Sequence, residues 1–151
     1  MRLVVQRVVR ASVRADGAML GKIGRGAVVL VGIGRDDDVA LVDRMAEKLV
    51  GLRYFTDADG RTNASLADVG GSLLVVSQFT LYADLRRGRR PGFTAAADPE
   101  VATALVDRFV ERLRELGAEV STGRFGAVMQ IELVNDGPFT LVVDSDHALA
   151  R

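Results

Sequence analysis

The chain has 151 residues, 48% hydrophobic and 26% charged, which suits one globular domain and excludes a disordered tail protein. It has no Cys and one His, so disulfide scaffolds, thiolate zinc sites, iron–sulfur clusters, cysteine nucleophiles and multi-histidine metal centres are all excluded. Twenty basic and twenty acidic residues cancel, so a nucleic-acid partner needs a local patch rather than a global field.

The first apolar run, Leu3-Val4-Val5, is cut by Gln6 and Arg7 before a signal-peptide core can form. No uncharged apolar run approaches the ~18 residues of a membrane helix. A soluble, cytoplasmic chain with no membrane partner is expected. Residues 2–14 read as a strand, and Asp16-Gly17 as the turn of a hairpin that returns through Met19–Ile23. Ala27–Val31 is a continuous apolar run, as in a strand buried on both faces.

Asp36-Asp37-Asp38 sets carboxylates at a helix start, and Val42, Met45, Ala46, Leu49 and Leu52 repeat at helical spacing. Residues 54–66 read as irregular or short-strand structure around a turn at 57–60. A second core strand is expected over Ser72–Leu81, then a polar loop from Ala83 to Gly92. Asp98-Pro99-Glu100 opens a second helix with the stripe Val101, Leu105, Phe109, Leu113 and Leu116, ended by Gly117. Two strands, 128–134 and 139–143, are expected to be joined by a turn at Asn135-Asp136-Gly137-Pro138. The order predicts one α+β domain: a curved, mostly antiparallel, barrel-like sheet with two main helices. Residues 1–145 form the domain in this reading, and 146–151 a tail.

Four local patterns bear on chemistry. Gly32-Ile33-Gly34 follows a strand, but the third glycine of a dinucleotide fingerprint falls on Asp37, an acid where pyrophosphate should sit. Asp144-Ser145-Asp146-His147 gathers a hydroxyl, two acids and the lone histidine within the last eight residues, where a mobile tail fits better than a triad. Arg86, Arg87, Arg89 and Arg90 set four guanidiniums in five residues, either a phosphate site or a solvated loop. Ser77-Gln78-Phe79-Thr80 ends an apolar strand, either as a polar site on a rigid platform or as edge residues satisfying neighbouring backbone.

Taken together, these residues resemble the D-aminoacyl-tRNA deacylase family, of the D-tyrosyl-tRNA deacylase type, over nearly the whole chain. The resemblance rests on Ser77-Gln78-Phe79-Thr80-Leu81 and Asn135-Asp136-Gly137-Pro138-Phe139-Thr140. It is supported by Gln6-Arg7-Val8, Asp68-Val69-Gly70-Gly71, Gly88-Arg89-Arg90-Pro91 and Thr122-Gly123-Arg124-Phe125-Gly126. Gly92 stands where a small polar residue is expected, and Phe139 where Val is expected.

The resemblance implies hydrolysis of the ester joining a D-amino acid to the terminal adenosine of tRNA, with glycyl-tRNA also accepted. It implies a homodimer with composite sites and no cofactor or metal. Ser77, Gln78, Phe79 and Thr80 would be catalytic, with backbone amides holding the oxyanion and the ribose 2′-hydroxyl assisting. Gly137 and Pro138, joined by a cis bond, would reject L-substrates from the partner's pocket, with Asn135 and Thr140 as further substrate-binding residues. Arg86, Arg87, Arg89 and Arg90 are the candidates for tRNA phosphate. The competing readings are a nucleic-acid-binding module without catalysis and a Thr80-dependent hydrolase of small esters.

Overall fold

In the computed structural model, residues 1–86 and 88–149 are described, and the sheet is organised by one long strand. Strand β1 (Arg2–Ala15) pairs antiparallel with β3 (Gly26–Gly32) along its first half and with β2 (Ala18–Ile23) along its second. The hairpin β1–β2 turns through Asp16 and Gly17, both at positive φ (51° and 75°), as their type predicts. β3 then pairs in parallel with β6 (Ser72–Ser77), and β6 in parallel with β7 (Glu119–Thr122). β8 (Gln130–Asp144) runs antiparallel against nearly the whole of β1. The sheet curls until β2 meets β7, where Ser121 Oγ donates to the Lys22 carbonyl at 3.2 Å. β4 (Arg53–Thr56) and β5 (Thr62–Ser65) form a separate hairpin.

Two apolar cores follow from the two faces of this sheet. On one face, Leu3, Val5, Val29, Val31, Leu73 and Val75 pack under helices α1 (Val39–Gly51) and α2 (Pro99–Glu115). On the other, Val8, Ala11, Val13, Val28, Leu74 and Val76 fill the inside of the curl. β1 serves both because its pairing with β8 slips between Gln6 and Arg10. A bulge of this kind changes which face odd-numbered residues occupy and bends the strand. Burying a side chain such as Leu73 or Leu74 contributes roughly 1.5–3 kcal/mol, and both are fully buried. β3 and β6 are covered on both sides, as their unbroken apolar runs predict.

Helix α1 starts where expected: Asp38 accepts the Leu41 N–H at 2.7 Å, and Val42, Met45, Ala46 and Leu49 are buried. Asp37 holds the preceding turn, accepting from the Gly34 N–H at 2.6 Å and from the Met1 amino group at 2.7 Å. The helices are tied by Arg108, whose fork meets both oxygens of Asp43 at 2.8 Å, and by Arg112 to Glu47 at 2.6 Å. Such partly exposed pairs are each worth roughly 0.2–1 kcal/mol.

Five sequence expectations are corrected. The strand expected over 72–81 ends at Ser77, and Phe79–Tyr82 form a 3-10 turn, because the Gln78 N–H makes the last rung with the Val31 carbonyl (2.7 Å) before the chain leaves the sheet. The two strands expected in the last third are one strand, and Asn135–Pro138 is a bulge within it. Val8 faces Asn135 while Gln6 faces Thr140, so β8 carries the extra residues outward without leaving β1. β7 was not predicted, since Glu119-Val120-Ser121-Thr122 has too little apolar character to stand out.

The buried stripe of α2 is Ala102, Leu105, Val106, Phe109, Val110 and Leu113, with Val101 48% exposed, because the helix rests on the sheet and on α1 together. The cluster 144–147 is no mobile tail. Ser145–Ala148 form a short helix, α3, Ser145 is buried, and its Oγ accepts from the Met1 amino group at 2.9 Å. No helix among the described residues is long and apolar enough to cross a membrane.

Candidate active site

β6 delivers Ser77 and Gln78 to the rim of the sheet, and the 3-10 turn places Phe79 and Thr80 just beyond it. The Gln78 side-chain amide donates to Thr80 Oγ1, which fixes both side chains. A cavity of about 410 Å3 opens here, with Ser77, Gln78 and Phe79 on one wall. Phe125, Val128, Met129 and Ile131, from the end of the β7–β8 connection and the start of β8, form the other. The leading N–H groups of a helical turn have no intrahelical acceptor. Among the described residues, the amides of Phe79 and Thr80 make no hydrogen bond within the chain. They form a pair of donors without a partner beside the cavity, which Phe79 lines, an arrangement suited to a developing oxyanion.

The second motif lies elsewhere in the same chain. Gly137 is six residues along β8 from Ile131, about 20 Å in an extended strand, and none of residues 135–140 lines the cavity. The Gly137–Pro138 bond is cis, and both residues are exposed. Arg7 holds this bulge from beneath. It is 8% exposed, and its Nη1 donates to the Tyr54 carbonyl at 2.8 Å and its Nε to the Asp136 carbonyl at 3.1 Å. Its guanidinium also lies 4.6 Å over the Phe139 ring and 3.5 Å from the Asp136 carboxylate. The larger residue at 139 therefore serves as a stacking surface for the cation. Thr140 Oγ1 donates to Gln6 Oε1, and Asn135 Oδ1 is buried with no partner among the described residues.

The arginine loop is closed by reciprocal backbone bonds between Asp84 and Gly92 (2.7 and 3.0 Å). Arg86 turns back on Asp84 with a two-pronged contact at 2.9 and 2.7 Å, which lowers the Asp84 carboxyl to about 2. Arg89 and Arg90 are exposed and make no ion pair among the described residues, while Arg87 lies outside them. Arg86 is thus already engaged. A carboxyl NMR titration should place Asp84 near pH 2, and in Arg86→Ala it should return toward the ordinary carboxylate range. An unchanged Asp84 titration would mean the fork does not persist in solution.

Ser77 lies on the core strand as the sequence led one to expect, whereas Phe79 and Thr80, expected within that strand, lie in the 3-10 turn beyond it. Sequence reasoning missed Arg7 as the support of the bulge, although an arginine in a valine-rich strand was the available signal. It also missed Met129 and Ile131 as cavity wall, because their side chains arrive only when the sheet curls. His147 sits in α3 and lines no part of this cavity.

Residues 4–144 match the family model described as D-Tyr-tRNA(Tyr) deacylase. A D-aminoacyl-tRNA deacylase of Symbiobacterium thermophilum is 58% identical over 146 residues, 97% of each chain. One from Fervidobacterium nodosum is 54% identical over 145 residues, 96% of this chain and 97% of its own. Among solved structures, a c-Myc DNA Unwinding Element Binding Protein superposes with a TM-score of 0.90 at 39% identity, covering 95% of this chain and 98% of its own. A probable eukaryotic D-amino acid tRNA deacylase shares the fold at a TM-score of 0.80 and 20% identity, covering 94% and 97%.

Proposed function

The chain belongs to the D-Tyr-tRNA(Tyr) deacylase family, a family of hydrolases acting on the aminoacyl-tRNA ester, and from that premise we propose that it is a chiral proofreading enzyme. Its substrates are D-aminoacyl-tRNAs and glycyl-tRNA, and L-aminoacyl-tRNAs are spared. The observation that carries this reading is the pair of free amides at Phe79 and Thr80 beside the cavity.

An aminoacyl ester is already activated, so water needs only modest help. As water adds to the carbonyl carbon, the oxygen gains negative charge, and the two amides stabilise it. One such donor is typically worth ~2.7–4 kcal/mol. Collapse of the intermediate breaks the bond to the ribose oxygen, which takes up a proton, and releases the amino acid. The adjacent 2′-hydroxyl is the group placed to assist the proton transfers. Ser77 shapes the rim, and Gln78 orients Thr80, whose hydroxyl has no imidazole at hand to make it a nucleophile.

Discrimination is assigned to Gly137 and Pro138 of a second copy of the chain. Within one chain the bulge and the cavity are too far apart to share a ligand, so a homodimer with composite sites accounts for both. Half-exposed or exposed Val9, Val134 and Val142 on β1 and β8 supply apolar surface for such pairing. Backbone carbonyls at 137 and 138, aimed at the substrate's α-carbon, tolerate its hydrogen and collide with an L side chain. Thr140 ties one end of the bulge to Gln6, and Asn135, whose Oδ1 has no partner among the described residues, is assigned to the substrate. Arg89 and Arg90, with Arg87, are the cations proposed for tRNA phosphates, and with tRNA as substrate the cytoplasm is the proposed location.

The deciding experiment compares deacylation of D-tyrosyl-, L-tyrosyl- and glycyl-tRNA by the purified enzyme. Turnover of the D and glycyl substrates with L-tyrosyl-tRNA intact is expected, and equal D and L rates would end the proposal. With no Cys and one His in the chain, activity is also expected to survive dialysis against a chelator. A loss restored by added metal would contradict that.

A further inference from the structure

The rings of Phe79 and Phe93 have no part in the chemistry above, yet they are paired and exposed. The centroids are 4.9 Å apart at 72°, an edge-to-face contact, with Phe79 56% and Phe93 37% exposed. Two aromatic rings left in solvent side by side are a costly feature, whereas Phe55 and Phe109 are fully buried. Both rings are also held on ordered backbone. Phe79 is in the 3-10 turn at the end of β6, and Phe93 directly follows Gly92, which is locked to Asp84 by two hydrogen bonds. The Phe93 carbonyl accepts from the Ala96 N–H at 3.1 Å, which fixes the other side.

We propose that this pair is a stacking platform for an unpaired base of the tRNA 3′ strand, the nucleotide preceding the terminal adenosine. The proposal rests on the reading of aminoacyl-tRNA as the substrate. Two observations favour a nucleotide as the occupant. The platform adjoins the cavity where the terminal residue is placed, since Phe79 itself lines that cavity. The loop that closes beside Phe93 carries Arg89 and Arg90, exposed and without an ion pair among the described residues, so the strand's phosphates find cations where its bases find rings. Stacking on aromatic faces holds any base, which suits an enzyme that must accept many tRNAs.

The test uses two substrates and two variants. D-tyrosyl-tRNA has the preceding nucleotide, and 3′-D-tyrosyl-adenosine lacks it. Phe93→Ala is expected to raise KM for the tRNA about 10-fold with kcat little changed, and to match wild type on the adenosine ester. Phe93→Tyr, which keeps a ring, should restore the tRNA value. An independent arm needs no catalysis: an uncharged RNA hairpin with a single-stranded 3′ end is titrated against the same hairpin carrying an abasic penultimate site. Wild type should lose about 10-fold in affinity on the abasic RNA, and Phe93→Ala should bind both hairpins equally weakly.

A Phe93→Ala defect of the same size on both esters would overturn the platform, assigning Phe93 to the terminal site or to folding. A change in sedimentation of Phe93→Ala would also overturn it, in favour of contact between copies. If wild type hydrolyses neither ester but still discriminates the two hairpins, the deacylase reading fails and the platform stands.

Discussion

Replacing Gly137 with alanine is expected to lower kcat/KM on D-aminoacyl-tRNA by about 100-fold, or ~2.7 kcal/mol of transition-state stabilisation, while the melting temperature falls by only a few degrees. Gly137 sits at φ = 125°, a conformation that L side chains rarely adopt, and a Cβ there would stand 2.8 Å from Arg7 Nη2. Holding a residue in such a region costs of order 1–3 kcal/mol. The exposed bulge can relieve that strain by moving, which spares the fold. Arg7 cannot follow easily, because it is buried and bound to the carbonyls of Tyr54 and Asp136. The carbonyls of 137 and 138 therefore leave the position from which they are proposed to discriminate. An alanine variant with wild-type turnover and an unaltered D/L ratio would show that this backbone does not contact the substrate.

A larger effect on stability is expected from Gly26→Ala. Gly26 begins β3 opposite Ser72 of β6, and a Cβ there would lie 1.8 Å from the Ser72 carbonyl oxygen. That atom is backbone in a strand covered on both faces, so neither partner can yield without opening both cores. The loss should reach about 3 kcal/mol or more, roughly 10 °C in melting temperature for a chain of this size. Gly51→Ala is the control. Its Cβ would meet nothing within 4 Å at the end of α1, and alanine is the better helix former. Equal melting temperatures for the two variants by calorimetry would mean that β3 and β6 do not approach as closely as described.

Much of this molecule is legible along the chain, for reasons local to each segment. Asp16-Gly17 turns because those residue types tolerate positive φ, and the runs 27–31 and 73–76 are buried on both faces because nothing in them is polar. Helix α1 follows from its Asp38 cap and α2 from Pro99 in its first turn, both with 3.6-residue spacing, and the polar Ser77-Gln78 at the end of an apolar strand marks a rim. These features depend on neighbours within a few positions, so they can be read before any tertiary contact is known. The sequence also carried the two motifs on which the family resemblance rests.

Pairing between distant segments was decided only in three dimensions. Asn135-Asp136-Gly137-Pro138 has the composition of a turn, yet β1 is long enough to pair with both flanks at once, and the segment becomes a bulge in one strand. Ser145 reads as part of a tail, but it is buried against the Met1 amino group brought beside it by the β1–β8 pairing. Arg7 acquires its role from Tyr54 and Asp136, 47 and 129 residues away. Hydrogen-bond partners at such separations follow from register and curl of the sheet, which the slip at Gln6–Arg10 sets and which no local pattern encodes.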